Sequence, residues 1–483
     1  MANAKKIGFI PCVATAIGIV VSSSALTLMG EGFGSGGTAF LISMVVAAFL
    51  NLCVAFSFAE LSGMLPVAGG INHYTLPAMG YGVGIMAVLN GYFSVSILTN
   101  SAESFVAGDV LSTYLFPGLG LEGWIWALII LAVLTLINLR SVKSYAYSQV
   151  FFTSVMVGSM VILSIVGLLG LGNEPAINPQ WGFDLSAGGG PLLLLGFSFW
   201  LFIGLEFVCP LAEEIENPNK FIPLAMVTAL CAIFVSDTLF GFCALKYVDQ
   251  ETLFSGGTPH VRVASAVLGR PGEIWIGIIS LVATCSTLNT YIAAVPRMLF
   301  GMAHEGQFPK CFGKLNRLGS PFWGVLLIGV ITAALVICFH GNADAVTLVN
   351  TFVTAGCIGW LLCYCVSHLD VLVLRKKYPD IHRPFKTPAA FPIIGLLGCL
   401  FTIIYIWPDG WQTILWGWPS EGKESFMSGS VIIFMFAGIV LVVSTIWTAI
   451  WVKCVMKKGF FETVPLEKLK EEMVANSIAN NTK

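Results

Sequence analysis

Apolar residues run through this chain in long blocks, separated by short stretches that carry glycine, proline or charge. A hydrocarbon layer about 30 Å thick is crossed by roughly 20 apolar residues of α-helix. Blocks of that kind centre on residues 9–30, 38–62, 84–110, 123–140, 148–171, 190–216, 222–246, 272–299, 322–340, 345–374, 391–408 and 428–455. The pattern predicts an all-α integral membrane protein with twelve transmembrane helices. The connections are too short for an added soluble domain, so residues 1–456 read as a single transmembrane domain and 457–483 as a short cytoplasmic tail. The first block follows Lys5 and Lys6 and is trailed by small residues at Ser22 to Ala25, as a signal peptide would be. Its apolar character continues past Leu28, which favours a retained span over a cleaved leader.

Composition narrows the class further. Apolar residues make up 57% of the 483 and charged residues only 10%, against roughly 25% charged in a soluble domain. That excludes a water-soluble enzyme and a disordered chain. The formal net charge of −2 leaves no basic field for a nucleic-acid partner. With the twelve spans placed as above, 20 of the 24 lysines and arginines fall on the side of the amino terminus. Only Lys246, Arg262, Arg270 and Lys423 fall on the other. Basic residues stay on the cytoplasmic side of a bilayer, so both termini are expected inside, in a multi-pass protein of the plasma membrane.

Familiar catalytic patterns do not survive inspection of their context. The 13 cysteines are scattered through apolar runs, where a thiol packs as a small hydrophobe. Cys363 and Cys365 form an isolated C-x-C with too few ligands around it, so neither a metal nor a redox centre is expected. Gly32, Gly34 and Gly37 fit a dinucleotide fingerprint in spacing but lie between two membrane blocks, not between a strand and a helix. No phosphate-loop motif accompanies them. No cofactor is expected, and there is no nucleophile–base pair on which an enzyme reading could stand.

The informative features are interruptions. Gly18 and then Ser22-Ser23-Ser24 break the first block, and Gly204, with Pro210 after it, breaks the sixth. A glycine at a tight helix crossing is one explanation. The other is unwound backbone, which lipid tolerates only where it lines a cavity or meets a ligand. The two interruptions open two five-helix halves, about 9–171 and 190–374, with two extra helices over about 391–455. Matching breaks in two halves are the mark of an inverted-repeat transporter with its cargo at the midplane. Half-helix amino ends would hold a carboxylate and the opposing carbonyl ends an ammonium.

Three carboxylates fall well inside spans, away from their ends: Glu103, Glu206 beside the second break, and Asp237. A charge at mid-bilayer is costly and is by default a functional candidate. Trp200, Phe202 and Phe207 flank the second break, and Tyr291 lies near Ser286, Thr287 and Asn289. Such rings can cover an ammonium, although in lipid they also serve as packing. The hydroxyls of Ser286 and Thr287 could coordinate a hard cation or satisfy carbonyls of their own helix.

Four blocks of sequence resemble the amino acid–polyamine–organocation superfamily. They are Ala59-Glu60-Leu61 with Pro66-x-x-Gly69-Gly70-x-x-x-Tyr74; Ile203-Gly204-Leu205-Glu206 with Glu213-Glu214-Ile215-x-Asn217-Pro218 and Ile222-Pro223; Pro296-Arg297 with Ala303-x-x-Gly306-x-x-Pro309 and Pro321; and Arg375 with Pro379 and Arg383-Pro384-Phe385. The resemblance implies a leucine-transporter-like fold with five-plus-five inverted repeats, discontinuous helices 1 and 6, and alternating access. By the same resemblance, Trp200 spaced six residues before Glu206 looks like the gate of the arginine/agmatine exchangers. Tyr291 then takes the place of an aromatic floor, and Asn100 falls near a polar contact on helix 3. The chain departs from the family in having serines where helix 1 usually breaks at glycines, and in having no lysine midway along its fifth span.

These readings converge on a secondary transporter of an amino acid or small amine, working as an exchanger or a proton symporter. The substrate-binding set is Ser22, Ser23, Ser24, Asn100, Glu103, Trp200, Ile203, Gly204, Glu206 and Tyr291, with Trp200 and Phe202 gating and Ser286 and Thr287 as an ion site. Expected partners are the small-molecule cargo, the lipid bilayer, a coupling proton and, as an open alternative to a monomer, a second copy in a homodimer. A sodium-coupled symporter of the same fold stays open, as does a non-transporting receptor or channel.

Overall fold

A computed structural model describes residues 7–66, 70–139, 145–255, 258–341, 345–406 and 429–469. Gly69, Arg140, Lys143 and Lys423, together with residues 1–6 and 470–483, therefore lie outside the described residues. Regular structure is helical among the described residues, apart from an isolated bridge between Ile7 and Ile215.

Among the described residues, eight helical segments are long and apolar enough to cross a membrane, and four shorter apolar helices accompany them. The first predicted span divides into α1, Phe9–Val20, and α2, Ser23–Gly36. A short 3-10 turn, Gly37–Ala39, joins α2 to α3, Phe40–Met64. Two short helices, α4 (Ile71–Ala78) and α5 (Tyr81–Val88), lead into a π-turn at Leu89–Phe93 and α6, Ser94–Asp109. Then come α7 (Gly123–Asn138), α8 (Tyr145–Leu168) and α9 (Leu195–Trp200). A 3-10 segment, Leu205–Glu214, follows α9 and leads to α10, Pro218–Tyr247. The remainder is α11 (Gln250–Ser255), α12 (Pro259–Leu268), α13 (Arg270–His304), α14 (Phe322–Phe339), α15 (Ala345–Lys377), α16 (Ala390–Tyr405) and α17 (Gly429–Ile450).

The outer faces of α7, α14, α16 and α17 carry exposed Leu136, Val330, Leu397 and Val442, as lipid contact requires. The inner helices are α1, α2, α6, α13 and α15. Here the buried polar residues collect, among them Ser22 to Ser24, Asn100, Glu103, Thr287 and Glu206 of the 3-10 segment. α6 packs along α15 because Gly91, Gly356 and Gly359 leave room. A Cβ on Gly91 would stand 2.3 Å from Cys363 Cβ, and one on Gly359 would stand 2.6 Å from the Asn90 carbonyl. The π-turn lies at this close approach, and Ser94 Oγ donates to the Leu89 carbonyl at 3.0 Å to satisfy the widened turn.

The two ends of the bundle are tied differently. At one end, where the ends of α3 and α15 meet, Glu60 accepts from Arg375 at 2.5 Å, pairs with Arg383 at 3.3 Å and takes the Thr387 N–H at 2.8 Å. Residues 459–464 lie along α4 and α5 at the same end, with the Gly82 N–H donating to the Phe460 carbonyl at 2.8 Å. At the other end, the glycines of α2 let it lie close against α11 and α12. A Cβ on Gly30 would meet Pro259 at 2.3 Å, and one on Gly34 would meet the Phe254 backbone at 2.6 Å.

Candidate functional site

The first break falls at Val21–Ser22, and Gly18 remains inside α1, buried among its neighbours. Serine explains the position. Ser22 is extended at φ −108° and ψ 165°, and its hydroxyl takes the Ala25 N–H at 3.2 Å, the arrangement of a helix N-cap. Gly18 meets no such demand and packs as a helical glycine.

The second break falls where the glycine predicts it. Gly204 has φ +106°, a region that side chains with a Cβ avoid. Residues 201–204 are turn, and the chain re-enters helix as a 3-10 segment. The freed Gly204 N–H donates to Tyr364 Oη at 3.1 Å, and Tyr364 passes its own proton to Glu206 Oε2 at 2.7 Å. Glu206 Oε1 accepts from Trp360 Nε1 at 2.8 Å and from Tyr92 Oη at 3.4 Å. This carboxylate therefore ties the unwound strand to α15 and to the helix of Tyr92, and it is only 2% exposed.

Glu103 serves the other break. Its Oε1 accepts the Ser24 N–H at 2.9 Å and its Oε2 accepts from Thr284 Oγ1 at 3.0 Å, with no exposure to solvent. Ser24 Oγ in turn takes Trp200 Nε1 at 3.3 Å and shares a proton with Ser22 Oγ at 3.0 Å, so the two breaks are directly linked. Ser23 turns away from them. Its hydroxyl donates to the Ser280 carbonyl at 2.6 Å and contacts Ser280 Oγ at 2.9 Å, which itself meets His260 Nε2 at 2.9 Å.

Between the breaks lies a narrow chamber lined by Ile19, Val20, Ser22, Thr99, Trp200, Ile203, Thr287, Tyr291 and Trp360. It holds about 200 Å³ of space between atoms, nowhere wide enough to admit a water molecule without side-chain movement. Trp360 stands at the centre of its aromatic wall, edge-on to Trp200 at 5.9 Å, Phe207 at 5.8 Å and Tyr291 at 6.1 Å.

The sequence set thus divides. Ser22, Ser24, Glu103, Trp200, Ile203, Gly204, Glu206, Tyr291 and Thr287 are brought to the chamber or to the bonds that hold its walls. Phe202 stacks instead on Phe234 of α10, with ring centroids 6.2 Å apart, and Asp237 is buried on that same helix outside the chamber lining. Asn100 is fully buried beside Thr99, and neither atom of its amide has a hydrogen-bond partner among the described residues. The Ser286 carbonyl accepts Thr290 Oγ1 at 2.9 Å, along the helix rather than across it.

Sequence reasoning missed Tyr92, Thr99, Thr284, Trp360 and Tyr364. The last two are four residues apart on α15, hence on one face of it. That i, i+4 pair of large aromatics was the available signal. Tyr92 and Thr284 gave none, because only the fold brings them to the acids.

Comparison with known proteins places this geometry in context. Residues 7–444 match the family model described as amino acid permease. A branched-chain amino acid permease of Bacillus subtilis is 26% identical over 85% of this chain and 89% of its own length. A methylthioribose transporter of the same organism is 25% identical over 80% of this chain and 85% of its own. Among solved structures, a manganese transporter mutant from Eremococcus coleocola superposes with a TM-score of 0.61 at 13% identity, covering 92% of this chain and 94% of that one. At that identity the likeness is one of fold alone.

Proposed function

This chain belongs to the amino acid permease family, and from that premise we propose a secondary transporter that carries an amino acid or small amine across the plasma membrane by alternating access. It is a membrane permease and not an enzyme. The observation that carries the proposal is the pair of facing breaks, at Val21–Ser22 and 201–204, on either side of one closed chamber. Unwound backbone at membrane depth costs several kcal/mol per orphaned group. In this chain the breaks are satisfied by acids and hydroxyls that can exchange partners.

The finer architecture belongs to the same proposal: twelve spans in two inverted five-helix halves with two added helices, and both termini in the cytoplasm. Trp200 is the natural gate, since its bond to Ser24 is the direct link between the two breaks at the chamber. Breaking that bond frees both the indole and the amino end of α2. Trp360 and Tyr291 continue the aromatic wall from Trp200. Glu103 and Glu206 are the groups on which a coupling proton would ride, because each sits at a break and neither pairs with a basic side chain among its hydrogen bonds.

Proton symport and exchange are distinguished by uptake into proteoliposomes of the purified full chain. A panel of amino acids and amines is presented with and without an inward proton gradient. Symport predicts uptake that rises with the gradient. Exchange predicts uptake that follows the internal substrate load. If neither condition drives concentrative or exchange flux for any compound in the panel, the carrier reading fails. Replacing sodium by choline in the same assay tests the sodium-coupled alternative at Ser286 and Thr287, which requires uptake to collapse.

A further inference from the structure

α2 is 14 residues long and begins at the chamber, where Ser22 forms part of the wall. The amino end of such a helix favours an anion through its free N–H groups and its dipole. In this chain the anion is built in. The Ser24 N–H is given to Glu103 Oε1 at 2.9 Å, the Ala25 N–H to Ser22 Oγ at 3.2 Å and the Leu26 N–H to the Ser22 carbonyl at 3.1 Å. Thr284 holds the second oxygen of Glu103. Three of the four amino-end N–H groups of α2 are therefore already engaged, and a carboxylate already occupies the place a cargo carboxylate would take.

The rest of the chamber continues this bias. Its lining among the described residues includes no basic side chain; its polar groups are the hydroxyls of Ser22, Thr99, Thr287 and Tyr291 and the indole N–H groups of Trp200 and Trp360. Thr287 is 1% exposed, and its hydroxyl has no hydrogen-bond partner among the described residues, so a donor or acceptor is owed to it from the chamber. Trp200, Tyr291 and Trp360 present ring surface that attracts a cation. Behind them stand two carboxylates, Glu103 at one break and Glu206 at the other.

We propose that the cargo is a small organic amine that lacks a carboxylate. This assignment rests on the transporter reading above and narrows it. The ammonium lies among the indole and phenol rings and donates to the Thr287 hydroxyl, while the apolar remainder packs on Ile19, Val20 and Ile203. An α-amino acid would bring its carboxylate toward Glu103 where three of the four amino-end N–H groups of α2 are already taken, and two ionised carboxylates at low dielectric repel strongly.

The test uses trios of probes that share a side chain: isopentylamine, leucine methyl ester and leucine, with the corresponding trios built on phenylalanine and on lysine. Thermal stabilisation of the purified full chain and uptake into proteoliposomes are both read. In at least one trio, the amine and the ester should act at concentrations about tenfold or more below the amino acid, the scale set by losing one charged hydrogen bond. Glu103→Gln should narrow that gap, since it removes the repelling charge. If this variant fails to fold, the ester-against-acid comparison on the unaltered protein still decides. An amino acid that equals or outperforms its amine and ester in every responsive trio overturns the amine assignment and leaves the transporter reading in place. A panel in which no probe of either kind binds or is transported overturns both.

Discussion

Tyr364 shows how much of the second break depends on a single hydroxyl. It accepts the Gly204 N–H and donates to Glu206, so Tyr364→Phe orphans one donor and one acceptor in a site closed to water. Each buried unsatisfied group costs about 1–3 kcal/mol, and the thermal midpoint of the purified protein should fall accordingly, with transport reduced at least tenfold. A variant with unchanged midpoint and uptake would show that the relay is dispensable. Glu206→Gln attacks the same relay more gently: one end of the amide can still accept from Trp360, but its NH₂ end offers Tyr364 no acceptor. Uptake should collapse while the protein still reaches the membrane, and normal uptake would remove Glu206 from the mechanism. The two acids were legible in the sequence because a charge inside an apolar span needs an explanation. Their partners were not, since Trp360 and Tyr364 lie in a span whose hydropathy says only that it is buried, and Thr284 is one hydroxyl among several on α13.

Among the helices, α2 carries the first break at its amino end and the seal against α11 near its carboxyl end. Gly34→Val would place a side chain where the Phe254 and Gln250 backbones stand, 2.6 and 2.8 Å from its Cβ. Backbone cannot step aside as a side-chain tip can, so α2 and α11 should separate. Amide hydrogen exchange in both helices should rise, and protection equal to that of the unaltered protein would show that the seal can absorb the change. The existence of both breaks could be read from Ser22-Ser23-Ser24 and Gly204, whereas their exact form could not. Gly18 resembles Gly204 in sequence, yet only Gly204 takes a positive φ. The difference is made by Tyr364, which waits for the Gly204 N–H. The π-turns at Leu89–Phe93 and Val110–Leu115 were likewise hidden, because apolar spans without a solvated face carry no period from which a turn could be counted.

Across the whole molecule, the two ends of the bundle are held by different chemistry. The α2 seal is glycine packed on the Pro259 ring and on the α11 backbone. The opposite end is held by Glu60, 1% exposed, beneath Arg375 and Arg383. Removing one partner of a buried ion pair costs about 3–5 kcal/mol. Glu60→Ala should therefore lower thermal stability more than any single change in the chamber, and an unshifted midpoint would mean that the end is held by packing instead. The membrane class, the approximate spans and the asymmetry of basic residues follow from composition and period. The pairing of ends does not, since Glu60 and Arg375 are 315 positions apart. The central claim is that the space between the two breaks is the route of the cargo, and counterflow tests it most directly. Proteoliposomes preloaded with unlabelled substrate should take up labelled substrate several times faster than empty ones. Thr287→Trp, which fills the chamber, should abolish the acceleration in a protein that still purifies as a folded species. Uptake indifferent to preloading, or acceleration that survives a filled chamber, would contradict the account.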